Sequence, residues 1–220
     1  MNGTITVDLQ KLPQQIAEAL LKIKAVSLRP DPANSFVWTS GLKSPIYCDN
    51  RLTISYPEVR NLLADGFAAL VKHLHPDAEV IAGIATGGIP HAAWVADKLG
   101  LPMIYVRDKA KGHGKQNMIE GHLSAGQKVV LIEDLISTGG SSLKAAVAVR
   151  DAGAQALGVV AIFTYEFPQA EQAFREENIP LATLSNYSAL LETAAKLGAI
   201  AESDIKTLQS WREHPQQYGV

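Results

Sequence analysis

The chain has 220 residues, 47% of them hydrophobic and 19% charged, which is enough for one substantial core and is the balance of a globular rather than a disordered protein. Lys and Arg number 20 against 22 Asp and Glu, and the net charge of −2 speaks against broad electrostatic binding to nucleic acid or to an acidic membrane surface. Cys48 is the single cysteine, which excludes an intrachain disulfide and disfavours a cysteine zinc site, and the absence of a basic leader or a span-length apolar run sets the expectation of a soluble cytoplasmic protein.

In chain order, residues 9–26 carry apolar side chains at helical spacing and predict an amphipathic helix. Residues 35–51 alternate and contain Ser40-Gly41, predicting a hairpin. A helix is predicted after Pro57, with Val59, Leu62, Leu63, Phe67 and Leu70 on one face. From Glu79 the rhythm turns to strand and helix in alternation. Strands are predicted over 79–85, 101–106, 128–132 and 156–164, with a short fifth at 180–184. Helices are predicted over 89–99 and 141–151, and two closing helices over 190–201 and 205–212. Short apolar strands of this kind favour a parallel sheet covered by helices on both faces, an α/β fold. The chain reads as one domain, residues 1–220, in which 1–55 stand outside the rhythm and 56–220 form the α/β core.

In open parallel sheets, ligands sit beyond the carboxyl ends of the strands. Three polar segments fall there: 86–88, 107–117 and 133–141. In VVLIEDLISTGGSS (129–142), four apolar residues deliver Glu133 and Asp134, and Ser137, Thr138, Gly139, Gly140 and Ser141 lead into a helix. Glycines let backbone N–H groups approach an anion, the hydroxyls add donors, and a helix N-terminus adds positive potential, so this is a phosphate cradle. Two carboxylates beside it would repel a phosphate and need another partner, sugar hydroxyls or a hydrated divalent cation. A phosphate at one end and hydroxyls at the other describe a ribose 5-phosphate. The second feature is VRDKAKGHGKQN (106–117), where Arg107, Lys109, Lys111 and Lys115 fall within nine residues around His113.

The VVLIEDLISTGGS run resembles the 5-phosphoribosyl-1-diphosphate (PRPP) signature of the type I phosphoribosyltransferase family, whose members use Mg²⁺ to displace pyrophosphate with a nitrogenous base. The resemblance implies the fold of that family, a parallel sheet flanked by helices under a small N-terminal hood. It also implies a PRPP site made of Arg107, Lys111, His113, Glu133, Asp134, Leu135, Ile136, Ser137, Thr138, Gly139, Gly140 and Ser141. Arg107 to Gly114 is similar to the catalytic loop of the orotate-specific members, and SGLKSPIY (40–47) is similar to their hood. On that likeness the substrates are PRPP and orotate, with Arg107, Lys109, Lys111, His113 and Asp134 catalytic. Ser137, Lys43 and Tyr47 would hold orotate, and Mg²⁺ would arrive on PRPP with Asp134 reaching it through water. The likeness further implies a homodimer whose 107–117 loop serves the neighbour's site, with no nucleic acid or membrane partner.

Two departures from that family stand out. No Arg lies between Arg150 and Arg175, where many members hold the orotate carboxylate, and Thr86-Gly87 replaces their Tyr-Lys. A purine-base phosphoribosyltransferase is the alternative, and a PRPP-binding transcriptional regulator is a more distant one. Trp38, Trp94 and Trp211 read as packing residues and His73 and His75 as surface-turn residues, while Asp49-Asn50-Arg51 is open between a structural and a dimer-forming role.

Overall fold

A computed structural model describes residues 7–38, 40–109 and 118–219. Helix α1 (Leu12–Lys22) is shorter at both ends than the predicted 9–26. Pro13 lacks an N–H and its ring clashes inside a helix, so the helix begins only just before it. At the other end Lys24 takes a left-handed φ of 59°, and Val26 is drawn into strand β1 (Val26–Leu28) by pairing with Cys48. The predicted hairpin divides into two pairings. β2 (Phe36–Val37) and β3 (Lys43–Ser44) make a hairpin, while β4 (Ile46–Cys48) runs antiparallel to β1. A 3₁₀ turn, Asn50–Ser55, then leads into α2 (Pro57–Leu74), whose first turn holds Pro57.

The remainder is β5 (Val80–Ile84), α3 (Gly88–Leu99), β6 (Met103–Val106), β7 (Ile119–Glu120), β8 (Lys128–Ile136), α4 (Gly140–Asp151), β9 (Gln155–Thr164), α5 (Pro168–Glu176), β10 (Leu181–Asn186), α6 (Tyr187–Lys196) and α7 (Ile205–Glu213). Six strands form one sheet in the order β10-β9-β8-β5-β6-β7, parallel except for the β6–β7 pair. The predicted parallel sheet thus gains an antiparallel edge, and two-residue β7 is too short to leave a periodic signal. Helix α5 is also an addition to the prediction; its buried Ala170 and Phe174 sit one helical turn apart.

Successive strand residues alternate between two cores. Ile81, Val130, Ile132, Val160 and Ile162 face the layer of α1, α2, α3 and α6. Val80, Ala82, Val129, Leu131, Val159 and Ala161 face α4 and α5. Both faces are apolar, as a sheet covered on both sides demands. Trp211, 1% exposed, anchors an aromatic cluster with Trp38, Tyr165, Phe167 and Tyr187 at ring separations of 5.3–6.0 Å. Trp94 packs between His91 and the guanidinium of Arg60. Among the described residues no helix is long and apolar enough to cross a membrane.

The tightest approach in the sheet is between α3 and β8. A Cβ added to Gly88 would stand 2.2 Å from the carbonyl oxygen of Ile132, whereas one added to Gly140 would meet nothing within 4 Å. Gly88→Ala is therefore expected to lower the unfolding free energy by about 3 kcal/mol or more, because backbone must move, and Gly140→Ala to change it by less than about 1 kcal/mol. Urea unfolding of the two variants beside the parent checks this.

Candidate active site at a switch point of the sheet

β5 and β8 are neighbours in the middle of the sheet, but the helices that follow them leave to opposite faces, α3 into the first layer and α4 into the second. Such a divergence opens a crevice beyond the strand ends. The ladders show where it begins. β5 pairs with β8 as far as Gly83 opposite Ile132, while β9 follows β8 on to Ile136 opposite Thr164. This continued pairing is why β8 runs to Ile136 rather than ending at the predicted Ile132. Glu133 and Asp134 therefore lie within a strand that has one neighbour left.

A cleft of about 400 Å³ borders this stretch, lined by Asp134, Ser141, Thr86, Gly87, Asn50 and Arg51 among others. A Cβ on Gly87 would fall 2.3 Å from the Asp134 carboxyl group. The turn after β5 thus presses its backbone against the Asp134 side chain, and a side chain at position 87 would require Asp134 to move. The Ala85–Thr86 peptide bond within that turn is cis.

The two acids have different surroundings. Glu133 is 5% exposed. Its carboxyl oxygens accept from Ser142 Oγ at 3.2 Å and from the Asp134 backbone N–H at 3.0 Å. Burial, then the hydrogen bond with Asp134 and its charge, push the Glu133 carboxyl well above the usual carboxylate range. A carboxyl group so buried resists ionisation. Asp134 is half-buried and borders the cleft.

The Ser137–Ser141 segment leads from β8 into the N-terminus of α4. Gly139, at φ 82° and ψ −5°, caps α4 in the left-handed region, and a Cβ there would lie 2.7 Å from the Phe174 ring. Space is open at Gly140, in front of the first N–H groups of α4, which have no partner within the helix. Ser141 borders the first cleft, while Ser137 and Thr138 border a second hollow of about 570 Å³ with Trp38, Ser40, Leu42 and Phe167. The C-terminal segment from Glu213 to Gln217 closes its far side. One loop therefore joins a polar cleft to a hollow with aromatic walls. A larger cavity, about 660 Å³, lies between α5 and β10, but it has no glycine loop and its Glu166 is occupied by Ser188 and Arg212.

Other expected site residues are distributed as follows. Arg107 closes the stem of the basic loop, its N–H donating to the Met118 carbonyl at 2.8 Å and its guanidinium 3.3 Å from Glu120. Lys109 is exposed, and Lys144 on α4 ties down Asp108 through the Asp108 carbonyl and carboxylate. Lys111 and His113 lie outside the described residues. Lys43 and Tyr47, expected on orotate, turn elsewhere. Strand alternation sends Ser44 and Ile46 inward and leaves Lys43 and Tyr47 outside. Lys43 Nζ donates to the Gly219 carbonyl at 2.8 Å, and Tyr47 packs on Phe36 at 5.6 Å. Tyr165, where an arginine was noted as missing, is 3% exposed within the aromatic cluster. The cleft also receives Cys48 and, after it, Asp49, Asn50 and Arg51, whose role the sequence left open between structural and dimer-forming; the signal of these three is two polar residues and a cation closing a short apolar strand.

Comparison with known proteins agrees with this geometry. The sequence profile of the Phosphoribosyl transferase domain matches residues 55–180. The chain is similar to an orotate phosphoribosyltransferase of Enterococcus faecalis, 56% identical over 209 residues, covering 95% of this chain and 99% of that protein. Among solved structures it is similar to orotate phosphoribosyltransferase from Aeropyrum pernix, 29% identical with a TM-score of 0.72, covering 84% of this chain and 99% of that one. It is also similar to UMP synthase of Leishmania donovani, 26% identical with a TM-score of 0.74, where it covers 90% of this chain but spans only 42% of that protein. A sheet that opens at a switch point, a glycine-capped loop before α4 and relatives of this closeness lead to one conclusion: the chain belongs to the phosphoribosyltransferase family, among the orotate phosphoribosyltransferases.

Proposed function

We propose that the chain transfers the 5-phosphoribosyl group of PRPP to N1 of orotate, forming orotidine 5′-monophosphate and pyrophosphate in pyrimidine biosynthesis. The observation that carries this reading is the Ser137–Ser141 loop, which joins a polar cleft at Asp134 to a hollow walled by Trp38 and Phe167. PRPP needs a phosphate cradle, a carboxylate for its ribose hydroxyls and room for its diphosphate. The base needs an adjacent site on the other side of C1′. The relatives' orotate specificity supplies the identity of that base.

In the reaction the C1′–oxygen bond to pyrophosphate breaks and the C1′–N1 bond forms, while the N1 proton of orotate passes to the departing pyrophosphate or to solvent. The ribosyl carbon gains positive character and the leaving group gathers negative charge. The first N–H groups of α4 and the hydroxyls of Ser137, Thr138 and Ser141 hold the 5′-phosphate. The Asp134 carboxylate orients the ribose hydroxyls, and Glu133, protonated, adds no second negative charge where the diphosphate must sit. Arg107, Lys109, Lys111 and His113 would approach the diphosphate, and cations that tighten as charge develops lower the barrier rather than merely the binding energy. Among the described residues no group of three or more His, Cys, Asp or Glu could hold a metal by itself, and a cleft-bordering carboxylate fits a Mg²⁺ ion held mainly by PRPP oxygens. Bound there, Mg²⁺ supplies charge neutralisation for the departing pyrophosphate. The reading includes a homodimer whose 107–117 loop serves the neighbour's site; the stem of that loop rises from β6 and β7 at one end of the sheet order.

With PRPP and Mg²⁺, pyrophosphate release is expected with orotate and not with hypoxanthine or uracil; release with hypoxanthine alone would overturn the base assignment. Asp134→Asn is expected to lower turnover by about 100-fold or more, and Glu133→Gln, which keeps a neutral side chain of the same shape, by less than about threefold. Steady-state kinetics at pH 7–8 check both. For the shared loop, inactive Lys111→Ala and Asp134→Asn subunits mixed at equal amounts should regain about a quarter of parental activity, since half of randomly assorted dimers carry one intact site. No recovery after verified subunit exchange would mean that each subunit uses its own loop.

A further inference from the structure

Behind the cleft, a set of hydrogen bonds ends on the backbone of Asp134. Asn50, 1% exposed, brings Nδ2 to 2.6 Å from the Asp134 carbonyl oxygen. That carbonyl belongs to the stretch of β8 that β5 no longer pairs, so its position is not held by that ladder. We propose that Asn50 is a positioning residue for phosphoribosyl transfer, fixing the backbone at Asp134 and with it the line along which the Asp134 carboxylate meets the ribose hydroxyls of PRPP. The inference rests on the function proposed above.

The direction of every bond in the set follows from proton counting. A carbonyl only accepts, so the amide of Asn50 must present Nδ2 to Asp134, which leaves Oδ1 to accept from the Cys48 thiol at 3.3 Å. That thiol keeps its proton, because burial and the charges of Asp134 and Asp49 push it far above the usual thiol range. On the other side of Asn50, Thr53 Oγ1 is 2.5 Å from the Asn50 carbonyl oxygen, and its single proton goes there. His91 Nε2 lies 3.3 Å from the same Oγ1 and must then be the donor. His91 is therefore the neutral Nε2–H tautomer. Burial lowers it to about 4, in agreement, and Nδ1, which has no partner among the described residues, is the bare nitrogen.

The set joins three walls of the cleft. His91 belongs to α3, the helix that opens at Gly88 after the turn pressed on Asp134. Thr53 and Asn50 belong to the 3₁₀ turn that ends the N-terminal region. Asp134 belongs to β8. Loss of the Asn50 donor would leave the Asp134 carbonyl short of a partner and release the carboxylate from its alignment, where displacements of an ångström matter.

The test uses Asn50→Ala and the near-isosteric Asn50→Asp, which replaces the donor with an acceptor, each alone and combined with Asp134→Asn. Expected for both single variants is a loss of about 30-fold in kcat/KM for PRPP, with KM for orotate within about twofold of the parent. In a calorimetric titration with PRPP and Mg²⁺, each single variant should bind about tenfold more weakly, but less than about twofold more weakly when Asp134 is already Asn. A merely structural role would instead give losses that multiply on the Asp134→Asn background, or an equal loss for orotate, and either result overturns the proposal. So does parental PRPP kinetics in the single variants. Should Asn50→Ala fail to fold, Asn50→Asp carries the same comparisons. If the parent binds PRPP but does not turn over orotate, the base assignment fails while the PRPP titrations still decide the role of Asn50.

Discussion

The cleft depends on the parting of two strands. β8 continues with β9 after β5 has turned away, and the turn after β5 can lie against β8 because Gly87 and Gly88 carry no side chains. A parallel ladder is stiff, and a backbone packed directly on it transmits its position without slack. Asp134 is thus set by β9 on one side, by the glycine turn on the other and by the Asn50 amide from below the hood. Each contact comes from a different part of the chain, so the site forms only when the whole sheet has formed.

That arrangement also settles the electrostatics. Two neighbouring acids at a diphosphate site would be a poor design if both were charged. Burial, then the hydrogen bond with Asp134 and its charge, push the Glu133 carboxyl up against the opposing pull of Ser142, so in the proposed reaction Glu133 adds no second negative charge beside the diphosphate. The chain is near neutral and gathers four cations within residues 107–115. In the proposed reaction these cations, with Arg51 at the cleft, offset the charge of the diphosphate. Coulomb attraction then grows as water is excluded, at the moment when the leaving group needs it.

Much of the fold was legible because its strands are short, apolar and β-branched, and because Gly and Pro punctuate them. β5, β6, β8 and β9 and helices α3, α4 and α7 stand close to their predicted places. The anion loop was legible for the same reason: strand, acids, hydroxyls, glycines and helix are contiguous, and the physics of a helix N-terminus is local. The misses have a common cause. β1 exists because Val26 finds Cys48, β7 because Ile119 finds Val106, and β8 lengthens because Leu135 and Ile136 find Phe163 and Thr164. No local pattern announces a partner that lies far along the chain.

The sequence by itself determined the α/β class and the run of acids, hydroxyls and glycines between β8 and α4, because these rest on contiguous residues whose propensities and hydrogen-bonding groups act at short range. Only the tertiary structure decided how the two acids differ, why position 87 is glycine, and that Asn50, Thr53 and His91 stand in line behind Asp134. Those facts depend on burial and on contacts between distant segments. Burial and distance are properties of packing, which exist only once the strands have chosen their neighbours.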